Sequence, residues 1–440
     1  MADDQGWGDM AYNGHEVVQT PNFDAMAAQT LRFDHFYAAA PYCSPTRASV
    51  MTGRNPNRMA CFSWGRTLRP QELTIAEILK EAGYKTGHFG KWHLGSVEKG
   101  SPVNPGTSGF ETWLSAPNFF DNDPILSREG VAEKQVGESS MITVDAAIEF
   151  IEEHHGTSDP YLAVVWFGSP HGPHEAAEND RMLYTNSEEQ LQHFYGEITG
   201  MDRAVGKLRE TVRSLPDNEQ TVIWYCSDNG GLPKVGSTGG RNHKGSIYEG
   251  GLRVPSILDW PAVILTPRAS GLPAVTSDIL PTVLDMAGVE NPTVPLDGIS
   301  LLSTIQGESQ QRPGGMGFWH YPGFGVGTPS KKWMEDLILA QAAGGTISDS
   351  TRLRLDAGKV DERYTADSIR GHAAWLDWPY KLHHIDMGDE SAYFELYNLD
   401  SDPMESEDIA TEQQARVVEM GRALEDWQQS VVGSLNGEDY

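Results

Sequence analysis

Two groups of residues in the 440-residue chain have side chains suited to bind ions of opposite charge. Members of the first group offer carboxylate or amide oxygens, which are the ligands that a hard cation such as Ca²⁺ prefers. They are Asp3, Asp4, Asp228 and Asn229. Members of the second group are cationic, or become so on protonation, which suits a bound oxyanion. They are Arg47, Lys91, His93, His171 and Lys244.

One of the three cysteines, Cys43, lies in the stretch PYCSPTRASVMTGR at residues 41–54. Pro45 favours the first turn of a helix, and Gly53 favours its end. We therefore expect a short helix with Cys43 at its N-terminus, where unpaired N–H groups and the helix dipole attract anions. The same environment should lower the pKa of a thiol. A small buried residue that caps the helix is the alternative interpretation of Cys43.

The polar residues follow predicted strands, which would bring them to one edge of a sheet. A short strand is predicted at 84–89 after a helical pattern, and apolar segments that also follow helical patterns predict strands at 161–168 and 221–227. The stretches GKWHLG, SPHGPH and SDNGG come directly after these strands. Each stretch alone is typical of a turn. Because ligands of open α/β sheets bind at the carboxyl ends of the strands, their convergence predicts a binding site.

Helical patterns alternate with the apolar strands. Helices are predicted at 142–154 and 188–214, and Thr74 with Glu77 forms a capping box at the start of another. Helices that alternate with almost continuously apolar strands are typical of a sheet covered on both faces. The predicted fold class is therefore α/β, with a large, mostly parallel sheet sandwiched by helices.

The composition changes beyond about residue 310, where glycine and aromatic residues become frequent. Two short strands, WPYKLHHI and FELYNLD, and an acidic helix at 408–430 are predicted there. We expect a main unit over residues 1–310 and a smaller C-terminal α+β subdomain over residues 311–440.

The chain carries 33 basic and 62 acidic residues, which gives a formal net charge of −29. This charge argues against nucleic acid as a partner, because phosphates need a basic face. No apolar run approaches the ~20 residues of a membrane-spanning helix, so no membrane partner is expected. An anionic substrate would need a local positive pocket, which the second group of residues would supply.

Six stretches, in order along the chain, resemble the type I sulfatases, which are formylglycine-dependent members of the alkaline phosphatase superfamily. Cys-x-Pro-x-Arg followed by ASVMTGR resembles the motif that carries the nucleophile, and GYKTGHFGKWHLG resembles the second motif. The remaining four stretches are ADDQGWGD, SPHGPH, SDNGG and HKGSIYEGGLRVP. Six ordered matches are a specific signature, whereas any one alone is weak. The resemblance covers residues 2 to about 300 and implies an alkaline-phosphatase-like fold.

The resemblance implies a hydrolase that removes sulfate from a sulfate monoester, with a small or oligosaccharide sulfate ester as the expected substrate. In the family the cysteine is oxidised to Cα-formylglycine, so Cys43 would need a formylglycine-generating maturation enzyme. One hydroxyl of the hydrated aldehyde would attack sulfur and form a sulfo-enzyme intermediate. The second hydroxyl would then expel sulfate, a release step that an ordinary serine lacks.

The resemblance also assigns roles to both groups of residues. The implied Ca²⁺ ligands are Asp3, Asp4, Asp228, Asn229 and an oxygen of the modified Cys43. Arg47 and Lys91 would support the formylglycine hydrate, and His93 would contact its second hydroxyl. We hypothesise that His93 is the base for sulfate release. His171 and Lys244 would bind sulfate and assist the departing alcohol, while the attacking proton is assigned to Asp228.

Two further histidines are candidates to contact the sugar of the substrate. His174 ends the stretch SPHGPH, and His320 lies in the glycine- and aromatic-rich segment. Loops of this kind also often pack over a core without binding anything. His383 and His384 lie on a predicted strand and are expected to be structural.

The chain departs from the family pattern at its start. In the family a hydrophobic strand precedes the aspartate pair, whereas here Met1 and Ala2 precede Asp3. We therefore expect Asp3 and Asp4 to lie on a fraying terminus and to bind the metal weakly. A periplasmic or secreted location is expected if the native chain carries a leader ahead of these residues.

Two alternative functions remain open at this point. One is a phosphate or phosphonate ester hydrolase of the same superfamily, which sulfate and phosphate release from matched aryl esters would distinguish. The other is a non-catalytic protein that binds sulfated glycans, which would be favoured if Cys43 were never converted.

Overall fold

A computed structural model describes residues 1–157, 159–216, 218–360, 362–365, 368–388 and 391–440. The strands are β1 (Leu31–Tyr37), β2 (Lys85–Lys91), β3 (Thr112–Ala116), β4 (Ile125–Arg128), β5 (Val131–Lys134), β6 (Tyr161–Trp166), β7 (Ile223–Cys226), β8 (Arg253–Asp259), β9 (Arg268–Ser270), β10 (Ala274–Val275), β11 (Met316–His320), β12 (Gly371–Asp377), β13 (Tyr380–Asp386) and β14 (Tyr393–Asn398). The α-helices are α1 (Pro21–Gln29), α2 (Cys43–Thr52), α3 (Ile75–Glu81), α4 (Ser139–His154), α5 (Glu178–Arg181), α6 (Glu189–Ser214), α7 (Glu249–Leu252), α8 (Ile279–Ala287), α9 (Leu302–Ile305), α10 (Ser330–Ala342) and α11 (Gln414–Leu435). Among the helices of those residues, none combines the length and the apolarity needed to cross a membrane.

Two five-stranded sheets form the centre of the protein. One has the order β5-β4-β3-β2-β6, and the other has the order β10-β1-β8-β7 with β9 also paired to β1. Parallel pairing joins β2 to β3 and β6, and joins β1 to β9 and β10. β8 pairs antiparallel with β1 and β7, and β4 pairs antiparallel with β3 and β5. The predicted α/β class is confirmed, with antiparallel strands added to the parallel pairs.

Residues 1–3 connect the facing edges of the two sheets. Phe167 donates its N–H to the carbonyl oxygen of Met1, and Asp3 donates to Ser169, beyond the end of β6. On the other side Ala2 donates to the carbonyl oxygen of Cys226 in β7. These residues and Asp4 are buried. The predicted fraying of Asp3 and Asp4 is wrong, because strands on both sides satisfy the backbone of this segment.

Helices cover both faces of the two central sheets. On one face α4 packs against β2 and β6, and α6 packs against α4. On the other face α2 packs against α3 and α8. Side chains of a strand alternate between the faces, so Val254 and Leu258 of β8 enter one hydrophobic core and Ile257 enters the other.

Local sequence signals determine the helix ends near the site. α2 begins at Cys43 and ends before Gly53, whose φ of 68° is the left-handed conformation that favours glycine. At the start of α3, Thr74 Oγ1 accepts a hydrogen bond from the N–H of Glu77, and the Glu77 carboxylate accepts one from the N–H of Thr74. Both helix starts were predicted from these residues, and both are confirmed.

A third sheet, antiparallel and of order β11-β12-β13-β14, follows in the C-terminal part, with α11 packed against it. The predicted hairpin corresponds to β13 and β14, whereas β11 and β12 were not predicted. α11 begins at Gln414, six residues later than predicted. Phe318 and Leu376 of this sheet share a hydrophobic core with Tyr37 and Ile247 of the main unit. The boundary at residue 310 remains a proposal.

Candidate active site

The N-terminus of α2 faces the carboxyl ends of the central strands. Asp3 and Asp4 follow the segment that joins the sheets, and Asp228 lies just beyond β7. One ligand atom from each of these carboxylates and the Sγ of Cys43 lie within 4.8 Å of one another, and all four residues are buried. Asn229 Nδ2 donates to Asp4 Oδ1 at 2.9 Å, which brings the fifth predicted residue into the same cluster.

Several oxygens of this cluster have the chemistry of a cation site. Within the described ranges, Asp3 Oδ1, Asp4 Oδ2 and Asn229 Oδ1 are buried without a hydrogen-bond partner. A buried oxygen without a partner is costly, and a bound cation would remove that cost. The donor set is rich in carboxylate oxygens and therefore fits a hard divalent cation such as Ca²⁺.

Three basic side chains offset the negative charge of the carboxylates. Arg47 Nη2 lies 2.7 Å from Asp228 Oδ2, and its other terminal nitrogen donates to the carbonyl oxygen of Lys91. The ammonium of Lys91, the last residue of β2, lies 2.6 Å from Asp3 Oδ2. Lys244 Nζ lies 2.5 Å from Asp4 Oδ1 and 3.4 Å from Cys43 Sγ. Of the three, Lys244 contacts the cysteine itself, whereas Arg47 and Lys91 bind the carboxylates around it.

The pKa values of the two aspartates diverge, although both residues are buried. Burial raises the pKa of Asp3 to about 7, and Lys91 only partly counteracts this. Burial would also raise the pKa of Asp4, but the charge of Lys244 and its hydrogen bond hold this pKa below its ordinary value. Asp4 is therefore the carboxylate whose negative charge the surrounding cations stabilise most strongly.

The Cys43 thiol differs from the sequence-based expectation. Burial raises its pKa far above the ordinary value, although Lys244 and Lys91 act in the opposite direction. The predicted lowering is wrong, because the whole of α2 is buried and the desolvation of a thiolate outweighs the helix terminus. Unmodified Cys43 is therefore a neutral thiol and a poor nucleophile.

Two histidines close to the cations of the cluster are in their neutral form. His93 has a φ of 54°, and neither of its ring nitrogens has a hydrogen-bond partner among the described residues. Burial, followed by the charge of Lys91, lowers the pKa of His93 well below its ordinary value. Burial likewise lowers the pKa of His171 to about 3. A His93 side chain held in strained backbone without a partner is suited to contact a ligand.

The ring of His171 is oriented from two sides. Its Nδ1 lies 2.6 Å from the carbonyl oxygen of Gly172, which can only accept, so the proton of the neutral ring is on Nδ1. Phe119 stacks on the ring at a centroid distance of 4.1 Å. Nε2 is left facing Asp4 Oδ2 at 3.7 Å, where it can exchange a proton with a ligand.

The two candidate sugar contacts lie in different surroundings. His320, the last residue of β11, packs edge-to-face against Tyr42 at a centroid distance of 5.2 Å, and Tyr42 directly precedes Cys43. His174 lies against α6, with Nδ1 3.5 Å from Glu197 Oε2 and its ring against Phe194. The contacts of His320 thus connect it to the nucleophile helix, whereas those of His174 are with α6.

Comparison with known proteins identifies the family. The family model described as Sulfatase matches residues 1–289, which include all of the cysteine cluster. The chain belongs to the sulfatase family. N-acetylgalactosamine-6-sulfatase of Mus musculus is 31% identical over 355 residues, which are 71% of this chain and 66% of that enzyme. Arylsulfatase A of Homo sapiens is 32% identical over 340 residues, which are 70% of this chain and 67% of that enzyme. The chain thus spans about two thirds of these curated sulfatases.

The likeness to solved structures extends over almost the whole chain. The crystal structure of Ps i-CgsB in complex with k-i-k-neocarrahexaose has a TM-score of 0.78 and 22% identity to this sulfatase-family chain. The match covers 98% of this chain and 92% of that one. At this identity the comparison supports the fold alone, including the C-terminal sheet.

Some residues around the site of this sulfatase-family member carried no signal in the sequence. Phe119 contacts His171 from a loop, and Tyr42 contacts His320 from the cap of α2, but neither position follows a recognisable pattern. Their positions depend on long-range packing that no local pattern encodes. The glycine- and aromatic-rich composition around His320 was the one available indication that this segment lies near the site.

A buried ionic network connects the sulfatase site to the C-terminal sheet. Lys381 Nζ of β13 lies 3.0 Å from Glu249 Oε1 and 3.1 Å from Glu405 Oε1. His383 Nε2 lies 2.8 Å from the same oxygen of Glu405, which is the structural role predicted for this histidine. Glu249 belongs to the stretch HKGSIYEGGLRVP, which also contains Lys244. The C-terminal sheet therefore supports the loop that carries one of the cations of the site.

Proposed function

We propose that the protein hydrolyses sulfate monoesters and removes sulfate from a sulfated saccharide. The observation that carries the proposal is the burial of Cys43 among three carboxylates and the ammonium of Lys244 in a chain of the sulfatase family. The saccharide is inferred from the names of the similar proteins, an N-acetylgalactosamine-6-sulfatase and a structure bound to a neocarrahexaose.

We infer that Cys43 is converted to Cα-formylglycine by a maturation enzyme, since the unmodified thiol is buried and neutral. The aldehyde hydrate would supply one hydroxyl to attack sulfur and a second whose deprotonation releases sulfate. The oxygens of Asp3, Asp4, Asp228 and Asn229 would hold Ca²⁺. When bound, this ion would lower the pKa of a hydroxyl beside it and offset negative charge on the sulfate.

The cationic residues would stabilise the charge that develops on the sulfate oxygens. Lys244 is within reach of a group bonded to residue 43, since its Nζ lies 3.4 Å from the Sγ. Arg47 and Lys91 would stabilise the hydroxyls of the modified residue. An anion bound beside His171 would raise the pKa of its Nε2, which could then protonate the departing alcohol.

The modification at Cys43 is the first expected result. The tryptic peptide Phe33–Arg47, from a host with formylglycine-generating activity, should have the mass of an aldehyde in place of the thiol. The modified protein should release sulfate from an aryl sulfate faster than it releases phosphate from the matched aryl phosphate. A thiol that persists in a competent host would favour the glycan-binding alternative, and faster phosphate release would favour the phosphatase alternative.

Replacement of His93 should separate attack from release. In His93→Ala the first turnover of p-nitrophenyl sulfate should persist as a burst, because Cys43 and the cations remain. The steady-state rate should fall by about 10²–10⁴-fold, since the proposed base for sulfate release is gone. Stopped-flow absorbance measures both phases, and His154→Ala at the end of α4 is a control. Equal loss of burst and steady-state rate would contradict this role of His93.

A further inference from the structure

Two segments form a rim beside the nucleophile helix: residues 62–66 and residues 321–328. The N–H of Gly65 donates to Ser44 Oγ at 2.9 Å, so the first segment is attached to the residue after Cys43. The N–H of Val326 donates to the carbonyl oxygen of Trp64 at 2.8 Å, which joins the two segments. The rim therefore starts directly beside the candidate active site.

The second segment extends the rim around the site. It begins after His320, which contacts Tyr42. At its other end the carbonyl oxygen of Thr328 accepts a hydrogen bond from Asn118 Nδ2 at 3.2 Å. Phe119, which follows Asn118 in the chain, stacks on His171. A ligand that extends out of the site past either residue would meet this rim.

The rim exposes two large aromatic side chains. Trp64 is 42% exposed and Phe324 is 90% exposed. Gly325 lies against the indole of Trp64, since a Cβ at this position would come within 2.1 Å of the ring. The backbone thus covers part of the indole without displacing it. Exposed aromatic rings beside a polar site indicate a binding surface, and their flat faces match the C–H face of a sugar.

Two arginines lie beside these rings. Arg66 Nε donates to the carbonyl oxygen of Phe324 at 3.2 Å, and Arg354 Nη2 donates to that of Gly65 at 3.4 Å. Both are partly exposed, and the two charges are close enough to act on each other. In the described part of the chain neither forms an ion pair within 4.0 Å, although the charge of Asp356 acts on Arg354. Each guanidinium has five N–H donors, so most of them remain available to a ligand.

We propose that Arg66, Arg354, Trp64 and Phe324 form a subsite for a second anionic sugar unit of the substrate. This inference rests on the proposed function and adds to it that the substrate is an oligosaccharide with charge on more than one unit. A sulfate or a carboxylate could be the second anion, since both accept paired hydrogen bonds from guanidinium groups. Among the described residues neither arginine has a carboxylate within ion-pair distance, in a chain with a net charge of −29.

The test measures binding of charged and neutral oligosaccharides by isothermal titration calorimetry. The probes are a dextran sulfate oligosaccharide, an oligogalacturonate and neutral dextran of similar length. One of the two charged probes will bind the wild type more tightly. The affinity of the double variant Arg66→Gln/Arg354→Gln for that probe should be about tenfold lower, and this difference should shrink as the salt concentration rises. Arg66→Lys should keep part of the affinity, and Arg422→Gln, an exposed arginine on α11, should keep all of it.

The outcomes separate the subsite from the reaction. Unchanged affinity of the folded double variant for both charged probes would overturn the subsite, whatever the turnover of an aryl sulfate. An equal loss of affinity for neutral dextran would overturn its anionic character. Failure of the wild type to hydrolyse an aryl sulfate would overturn the proposed function instead, and the calorimetric result would still report on the subsite. Preference for the sulfated or the carboxylated probe would support the subsite and identify its anion.

Discussion

Cys43→Ala is expected to lower the turnover of an aryl sulfate by at least about 10⁴-fold, because it removes the proposed covalent nucleophile. The carboxylates and cations that surround the residue stay in place, so weak substrate binding should persist. The Cβ of alanine occupies part of the space of the buried side chain, and little loss of stability is expected. Initial rates and urea unfolding of the same preparation measure the two effects separately.

Cys61→Ala is the matched control for this experiment. Cys61 is also a buried free cysteine, but it belongs to the hydrophobic core rather than to the carboxylate cluster. Its replacement should leave the rate of sulfate release unchanged. A Cys43→Ala enzyme with more than a small fraction of wild-type activity would rule out Cys43 as the precursor of the nucleophile.

Lys381→Met is expected to lower the free energy of unfolding by about 3–5 kcal/mol. Methionine has a similar length but no charge, so Glu249 and Glu405 would remain buried without their cation. Breaking a buried ion pair costs far more than losing an exposed one, because the remaining charges stay desolvated. Urea unfolding measures the change.

Lys359→Met provides the comparison for Lys381→Met, since Lys359 is exposed and its replacement should change the free energy of unfolding little. A loss of less than about 1 kcal/mol in Lys381→Met would mean that the network contributes nothing beyond an exposed ion pair. In that case the support of the Lys244 loop by the C-terminal sheet would have to come from the shared hydrophobic core.

Features with short-range signals could be predicted from the sequence. Pro45 and Gly53 mark the ends of α2, and apolar segments mark β6 and β7, because capping and burial act over a few residues. The convergence of the polar stretches followed from a general property of α/β sheets and needed no knowledge of distances.

Features that depend on the whole fold could not be predicted. The pKa of Cys43 was expected to fall, and it rises because distant parts of the chain exclude water from α2. Asp3 was expected to fray, but β6 and β7 hold the residues before it. β11 was missed, since its glycine- and aromatic-rich sequence is equally typical of a loop, and its antiparallel partner β12 was missed with it.

The ionic network of Lys381 limits which parts of such proteins can be exchanged during evolution. It fixes the strands of the C-terminal sheet to the catalytic unit, so exchange of the entire C-terminal part between relatives would break buried charges on both sides. Residues 321–328 leave the end of β11 and carry none of these charges. Short exchanges of this segment would therefore be the tolerated route to a new sugar preference, with the chemistry at residue 43 inherited unchanged.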